Sequence, residues 1–185
     1  HQRYRKAGDD AEMGDRILYP DSWAVADSVA AMQQRGEQAG IIVVIYAQLP
    51  EFTPWSNKDF VGTGKADAFL KGFAEEFKPA FEKKYAISSD KSACTIMGAD
   101  IAGLFALYAT LTYPELFDGC GMFSPTIWYN SAQLQDFVNT YQPTKTDTRF
   151  AFVTTSVDTE ETTDEVDYYA DWLNQQGYSV GITQI

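Results

Sequence analysis

Residues 94–108 read CTIMGADIAGLFALY, and this stretch decides the fold. The apolar segment 93–98 predicts a strand, and the segment 101–112, rich in small and apolar residues, predicts a helix packed closely against it. Gly98, Asp100 and Ala102 lie in the short junction between the two. Glycine at such a junction lets the strand and helix backbones approach closely. We therefore expect a tight turn that presents the side chain of residue 100 at the end of a sheet.

Strand and helix patterns alternate along the rest of the chain. The β-branched run 41–46 (IIVVIY) has no polar alternation, which is typical of a strand buried on both faces. A helix is predicted over 23–35, with Gly36 as its end. Another helix should begin at a cap formed by Thr162 or Thr163 and end at Gly177. Further strands are predicted at 119–124, 150–155 and 179–185.

This alternation predicts an α/β fold: a three-layer sandwich, with a mainly parallel sheet of about five strands and helices on both faces. No linker or repeat interrupts the sequence, so we expect a single domain over residues 1–185. Four phenylalanines recur at every fourth position: Phe69, Phe73, Phe77 and Phe81. This spacing predicts a helix whose phenylalanine stripe belongs to the core, and Pro79 should kink that helix or start a new turn.

The composition restricts the classes of partner. The chain is 45% hydrophobic and 15% aromatic, enough for a real core, and its formal charge of −12 disfavours nucleic acid and anionic membrane surfaces. No apolar run reaches the roughly 18 residues of a membrane span, and no signal peptide is visible. Two cysteines, Cys94 and Cys120, are interpreted as buried thiols, with a single disulfide as the alternative. The compartment stays open, with a slight preference for the cytoplasm.

The segment 94–108 resembles the nucleophile elbow, G-x-S-x-G, of the esterase D and enterochelin-esterase family of α/β-hydrolases. Segments 113–117 (YPELF) and 123–129 (FSPTIWY) resemble the stretches that follow the elbow in that family, and 51–55 (EFTPW) resembles its preceding loop. The resemblance covers about residues 40–130. It implies an α/β-hydrolase-like domain that hydrolyses carboxylic esters through an acyl-enzyme, acts on a small-molecule ester, and needs no cofactor or metal.

The same resemblance implies a set of site residues. The nucleophile position is Asp100, and the backbone N–H of Ile101 would supply an oxyanion donor. The acid would follow the strand at 150–155, where Asp158 and Glu160 are the candidates. Trp128 and Tyr129 would line a substrate pocket, although packing in the core explains this pair equally well.

Departures from the family pattern concern the chemistry itself. Asp100 replaces the serine, Ala102 replaces the second glycine, and the single histidine is His1. A serine hydrolase needs a hydroxyl that a base activates, so the chain is expected to be inactive as an esterase. Two alternatives stay open. Asp100 is either a binding or structural carboxylate of a non-catalytic protein, placed near a helix N-terminus, or a nucleophile of the dehalogenase and epoxide-hydrolase kind.

The resemblance also implies that the sequence is truncated at both ends. The family has further strands before residue 41 and its catalytic histidine after the last strand. The resemblance places residues 1–4 at the loop that follows a central strand of the family, which implies that the strand lying between strands 41–46 and 93–98 in the sheet is absent from this sequence. Either the sheet closes directly, or another copy of the chain supplies the strand in a homo-oligomer, or the chain is a fragment. The acidic cluster at 158–165 lacks the spacing of a calcium loop, so no metal site is predicted.

Overall fold

The computed structural model describes residues 25–36, 43, 45, 49–57 and 64–185. The chain divides into two units, His1–Ile45 and Tyr46–Ile185. In the first unit, helix α1 (Val25–Gln34) confirms the helix predicted over 23–35, and the turn after it ends at Gly36, whose φ is +75°. The strand predicted at 41–46 lies outside the described residues, apart from the isolated positions Val43 and Ile45. The single domain over 1–185 stays a prediction.

The second unit contains a parallel sheet of four strands in the order β1-β2-β3-β4. The strands are β1 (Thr95–Ala99), β2 (Gly119–Phe123), β3 (Arg149–Thr154) and β4 (Ser179–Gln184). In the register of the sheet, Gly98 lies beside Met122, and Met122 beside Phe152. Because all four strands run in the same direction, their carboxyl ends meet at one edge. The strands predicted from residue 93 onward are each confirmed to within two residues.

A helix connects each strand to the next, so the sheet is built from strand–helix–strand crossovers. The helices of this unit are α2 (Leu49–Phe52), α3 (Ala66–Gly72), α4 (Lys78–Tyr85), α5 (Ile101–Thr112), α6 (Ser131–Thr140) and α7 (Glu160–Gln175). A π-helical turn (Phe73–Phe77) joins α3 to α4, and a 3-10 turn (Ile127–Asn130) precedes α6. In the described residues, no helix is both long and apolar enough to cross a membrane.

Helix α5 lies at the centre of this unit. One side packs with Met122 and Phe152 of the sheet in a core that α7 completes with Val166 and Leu173. The opposite side of α5 packs against α3 in a second cluster of buried residues: Ala66, Leu70, Phe105, Tyr108, Ala109 and Phe117. Because apolar groups surround it, α5 needs no polar face, which explains its run of small and apolar residues.

The phenylalanine stripe is only partly in the core, so the expectation of a fully buried stripe was wrong. Phe73 stacks on the buried Phe117 with ring centroids 6.2 Å apart. The stripe leaves the core at Phe77, whose side chain is 43% exposed. Phe77 stacks between Phe73 and Phe81 instead. Pro79 lies in the first turn of α4, directly after the π-helical turn, which confirms that it starts a new turn.

Helix α7 begins earlier than predicted. Its N-cap is Thr159, whose hydroxyl accepts a hydrogen bond from the backbone N–H of Thr162 at 3.3 Å. The cap predicted at Thr162 or Thr163 was wrong, because Thr162 is buried within the first turn of the helix. The buried face of α7 contains Val166, Tyr169 and Leu173, and Gly177, the predicted end, follows the helix at φ +93°.

Both cysteines are free thiols, so the single-disulfide alternative is wrong. Cys120 is buried and Cys94 is half-buried. Burial in the core raises the pKa of the Cys120 thiol to about 12 and also raises that of Cys94. The two thiols therefore pack as small apolar groups.

Candidate functional site

Asp100 forms the turn between β1 and α5, at the carboxyl edge of the sheet. Its φ of +53° and ψ of −126° belong to a region that residues other than glycine rarely adopt. Two backbone bonds to the neighbouring segment hold this conformation. The Asp100 N–H donates to the carbonyl of Phe123 at 3.1 Å, and the Asp100 carbonyl accepts from Thr126 N–H at 3.0 Å. The side chain of Asp100 is exposed, as expected for a residue presented above the sheet.

Glycines make this tight turn sterically accessible. A Cβ added to Gly98 would lie 2.1 Å from the carbonyl oxygen of Ala102. One added to Gly103 would lie 2.9 Å from the Cβ of Pro125. The backbone of β1 therefore contacts that of α5 at Gly98, and α5 contacts the segment after β2 at Gly103. Only a hydrogen atom fits in place of a side chain at these two positions. This close approach confirms the reason given for the small residues flanking position 100.

Asp158 lies in the loop after β3, one strand beyond the segment that holds Asp100. Its Oδ2 accepts two hydrogen bonds, from the hydroxyl of Ser124 at 2.8 Å and from the N–H of Thr155 at 2.7 Å. Ser124 itself follows β2 at φ +41°. Because β1, β2 and β3 are neighbours, the residues after them, Asp100, Ser124 and Asp158, lie along the same edge of the sheet.

Two further predicted site residues, Glu160 and Ile101, lie at the N-termini of different helices. Glu160 is the first residue of α7 and is exposed, where its charge suits the positive end of the helix dipole. Of the two candidate acids, Asp158 is the one that a hydrogen bond joins to the segment after β2, since its Oδ2 accepts the hydroxyl of Ser124. Ile101 is the first residue of α5. The first N–H groups of a helix have no partner in a preceding turn and can donate to an anion at residue 100.

The aromatic pair Trp128 and Tyr129 differs in exposure to solvent. Trp128 is 43% exposed, whereas Tyr129 is buried at 8%. The carbonyl of Tyr129 accepts a hydrogen bond from the side chain of Asn57, at 2.5 Å. This bond ties the loop before α3 to the 3-10 turn that follows the Asp100-binding segment. Trp128 is therefore accessible at the surface, whereas Tyr129 packs in the interior, and a ligand contact at Trp128 stays a prediction.

Sequence reasoning missed two polar residues near this edge. Ser124 was noted only as a letter of the motif at 123–129, although a serine before proline at a strand end is a recognisable turn signal. Glu165 of α7 is half-buried, and this burial raises the pKa of its carboxyl. Hydrogen bonds from the Ser131 side chain and the Trp128 backbone act in the opposite direction, because they favour the ionised form. Glu165 therefore joins α7 to the 3-10 turn and to the first residue of α6. No local pattern in the sequence distinguishes it from the other acids of α7.

Comparison with known proteins gives the family. Residues 25–167 match the family described as "Putative esterase". The chain belongs to this esterase family. Among its curated relatives, the uncharacterized protein YbbA of Bacillus subtilis (strain 168) is 26% identical over 133 residues, or 68% of this chain and 52% of YbbA. The ferri-bacillibactin esterase BesA of the same bacterium is 39% identical over 67 residues, 36% of this chain and 22% of BesA.

The fold agrees with solved members of the esterase group. The siderophore hydrolase EstA from Aspergillus nidulans superposes with a TM-score of 0.61 at 19% identity, over 86% of this chain and 69% of EstA. This likeness confirms the predicted α/β fold. The chain spans about half the length of YbbA and a smaller part of BesA.

Asp100→Gly is expected to be more stable than Asp100→Ala by about 1 kcal/mol, because glycine adopts φ +53° without strain whereas alanine keeps the strain of aspartate. Asp136, exposed in the middle of α6, supplies the matched control. There the order should reverse, with Asp136→Ala more stable than Asp136→Gly by about 1 kcal/mol. Urea unfolding of the four variants measures both differences. The same order at both positions would contradict the strained turn.

Proposed function

We propose that this chain is an esterase-family scaffold that no longer hydrolyses esters, a pseudoenzyme. The observation that carries the proposal is Asp100 at the β1–α5 turn, the position that corresponds to the nucleophile elbow. The conformation there, with positive φ and glycines at the close contacts, suits presentation of a nucleophile. The side chain presented is a carboxylate, so this turn lacks the hydroxyl on which the reaction of a serine esterase depends.

The chemistry of the acyl-enzyme explains why an aspartate stops it. Serine attacks the ester carbonyl after a histidine removes its proton, and the acyl-enzyme that forms is an ester. Attack by the Asp100 carboxylate would form an anhydride, which is much less stable than an ester. The negative charge of Asp100 would also oppose the oxyanion that develops beside it. The 185 residues contain one histidine, His1, which lies outside the described residues.

The ligand we propose is a small molecule of the ester class. BesA is named as a ferri-bacillibactin esterase and EstA as a siderophore hydrolase. These names support a siderophore-like ester as the ligand type for the edge formed by Asp100, Asp158 and Trp128. Pairing of two copies of the chain through an open strand edge stays a prediction from the sequence.

A second candidate is a binding or interaction protein that kept the family's site for recognition alone. The hydrogen bond from Ser124 to Asp158 favours this candidate. The bond holds the Asp158 carboxylate in place as an acceptor for a ligand, although residue 100 cannot act as a serine nucleophile. An aspartate-nucleophile hydrolase is a weaker candidate. It would form a covalent ester on Asp100 with an alkyl halide or epoxide, and unmodified protein by mass spectrometry would count against it.

Asp100→Ser separates a disabled esterase from a binding protein. If substitution at this position alone ended hydrolysis, restoring serine in the longest product of the gene should give turnover of p-nitrophenyl acetate at least tenfold above the unmodified protein. Asp100→Ala serves as the matched control, since it removes the carboxylate without adding a hydroxyl. Turnover with serine and none with alanine supports the disabled esterase. Silence of both variants, each folded by circular dichroism, supports the binding protein.

A further inference from the structure

Ser124 is held in a backbone conformation that disfavours it. Its φ of +41° is in the left-handed region, and Pro125 follows directly. Such a conformation is unfavourable for a residue with a Cβ. The Ser124 N–H donates to the carbonyl of Val153 at 2.7 Å, which fixes the residue between the ends of β2 and β3. Glycine would adopt this backbone without strain, but glycine has no hydroxyl.

The hydroxyl of Ser124 is directed at one oxygen of Asp158. Ser124 Oγ donates to Oδ2 at 2.8 Å, and the backbone N–H of Thr155 donates to the same Oδ2 at 2.7 Å. The Asp158 N–H in turn donates to the Thr155 carbonyl at 3.1 Å, which closes the loop on itself. With both donors on Oδ2, the carboxylate plane is fixed, and Oδ1 is the oxygen left for a further donor. Asp158 is half-buried, so that donor can approach from solvent.

The segment that contains Ser124 also holds the β1–α5 turn. Phe123 and Thr126, on either side of Ser124 and Pro125, make the two backbone hydrogen bonds to Asp100. One four-residue segment therefore binds residue 100 through its backbone and Asp158 through a side chain. A shift of this segment would move both groups together, so their relative position depends on it.

We infer that Ser124 is a positioning residue, which orients the Asp158 carboxylate so that its Oδ1 faces a donor at the edge that carries residue 100. The inference rests on the proposed function in one respect: it takes Asp158 as part of the ligand-binding edge that also contains Asp100. It does not depend on whether the chain hydrolyses esters. Ser124 acts through Asp158 and contacts no reacting atom in this role.

The test compares Ser124→Ala with Ser124→Gly by NMR in the 185-residue chain. Both variants lose the hydroxyl, but only glycine relieves the backbone, so Ser124→Gly should be the more stable. Both are expected to lower the hydrogen-exchange protection of the Thr155 amide by up to about tenfold, because its acceptor Asp158 becomes free to rotate. The χ1 couplings of Asp158 should change from a single rotamer to an average over several. Asp158→Ala supplies the reference for complete loss of the acceptor.

The glycine variant distinguishes orientation from folding. If Ser124 matters only for stability, Ser124→Gly will keep the single Asp158 rotamer and the protected Thr155 amide, and that result overturns the inference. If the alanine variant does not fold, the glycine variant alone decides the question. Ester hydrolysis by the chain would refute the proposed loss of activity and leave this NMR result unchanged, so the two failures can be told apart.

Discussion

Gly98→Ala is expected to lower the free energy of unfolding by about 3 kcal/mol or more, or to prevent folding. The new Cβ would lie 2.1 Å from the carbonyl oxygen of Ala102 and 2.3 Å from its carbonyl carbon. Both are backbone atoms in the first turn of α5, and a shift of that turn would disturb the hydrogen bond from Gly103 N–H to the Asp100 carbonyl. Urea unfolding followed by circular dichroism measures the loss.

Gly72→Ala is the matched control for this substitution. Gly72 ends α3 in a helical conformation, and an added Cβ there meets nothing within 4 Å. Alanine should raise the free energy of unfolding by about 0.5–1 kcal/mol, because glycine is the poorer helix former. If Gly98→Ala were as stable as the unmodified chain, the strand and helix could not approach as closely as the structure has them.

Phe117→Ala is expected to lower the free energy of unfolding by about 3–5 kcal/mol. Phe117 is 2% exposed, belongs to the cluster between α3 and α5, and stacks on Phe73. Its removal leaves a cavity in a cluster that the backbone cannot readily close, since the Phe117 carbonyl also accepts a buried hydrogen bond from Thr148. Thermal or urea unfolding gives the value.

Phe77→Ala tests whether burial, and not membership of the aromatic stripe, decides this cost. Phe77 also stacks on Phe73, with centroids 5.8 Å apart, but it is 43% exposed. Its truncation should cost about 1 kcal/mol or less. Equal losses for Phe77 and Phe117 would mean that the stripe is buried along its whole length, as the sequence pattern predicted.

The sequence predicted the elements that local pattern determines. The strand, turn and helix at 94–112 are readable because glycine, small residues and an all-apolar helix each have one structural explanation there. The parallel order of the strands follows from strand–helix alternation, since each connection contains a helix. These features place Asp100 and Asp158 at the same edge before any coordinates are known.

Features that depend on distant contacts were not predictable. Spacing places Phe77 on the same stripe as Phe73, but only the packed neighbours show that α4 extends beyond the core. Thr159 and Thr162 are equally good caps by composition, and the burial of Thr162 against the core decides between them. The role of Ser124 depends on Asp158, 34 residues later, and on a backbone angle that no residue pattern encodes.

The most direct test of the central claim is hydrolysis of p-nitrophenyl acetate by the purified 185-residue chain, measured against buffer and heat-inactivated protein. We expect a rate no higher than that of the controls, because residue 100, which we propose as the counterpart of the family's nucleophile, is a carboxylate and not a hydroxyl. Saturable turnover that disappears in Asp100→Ala would contradict the account, since it would mean that Asp100 itself carries out the hydrolysis.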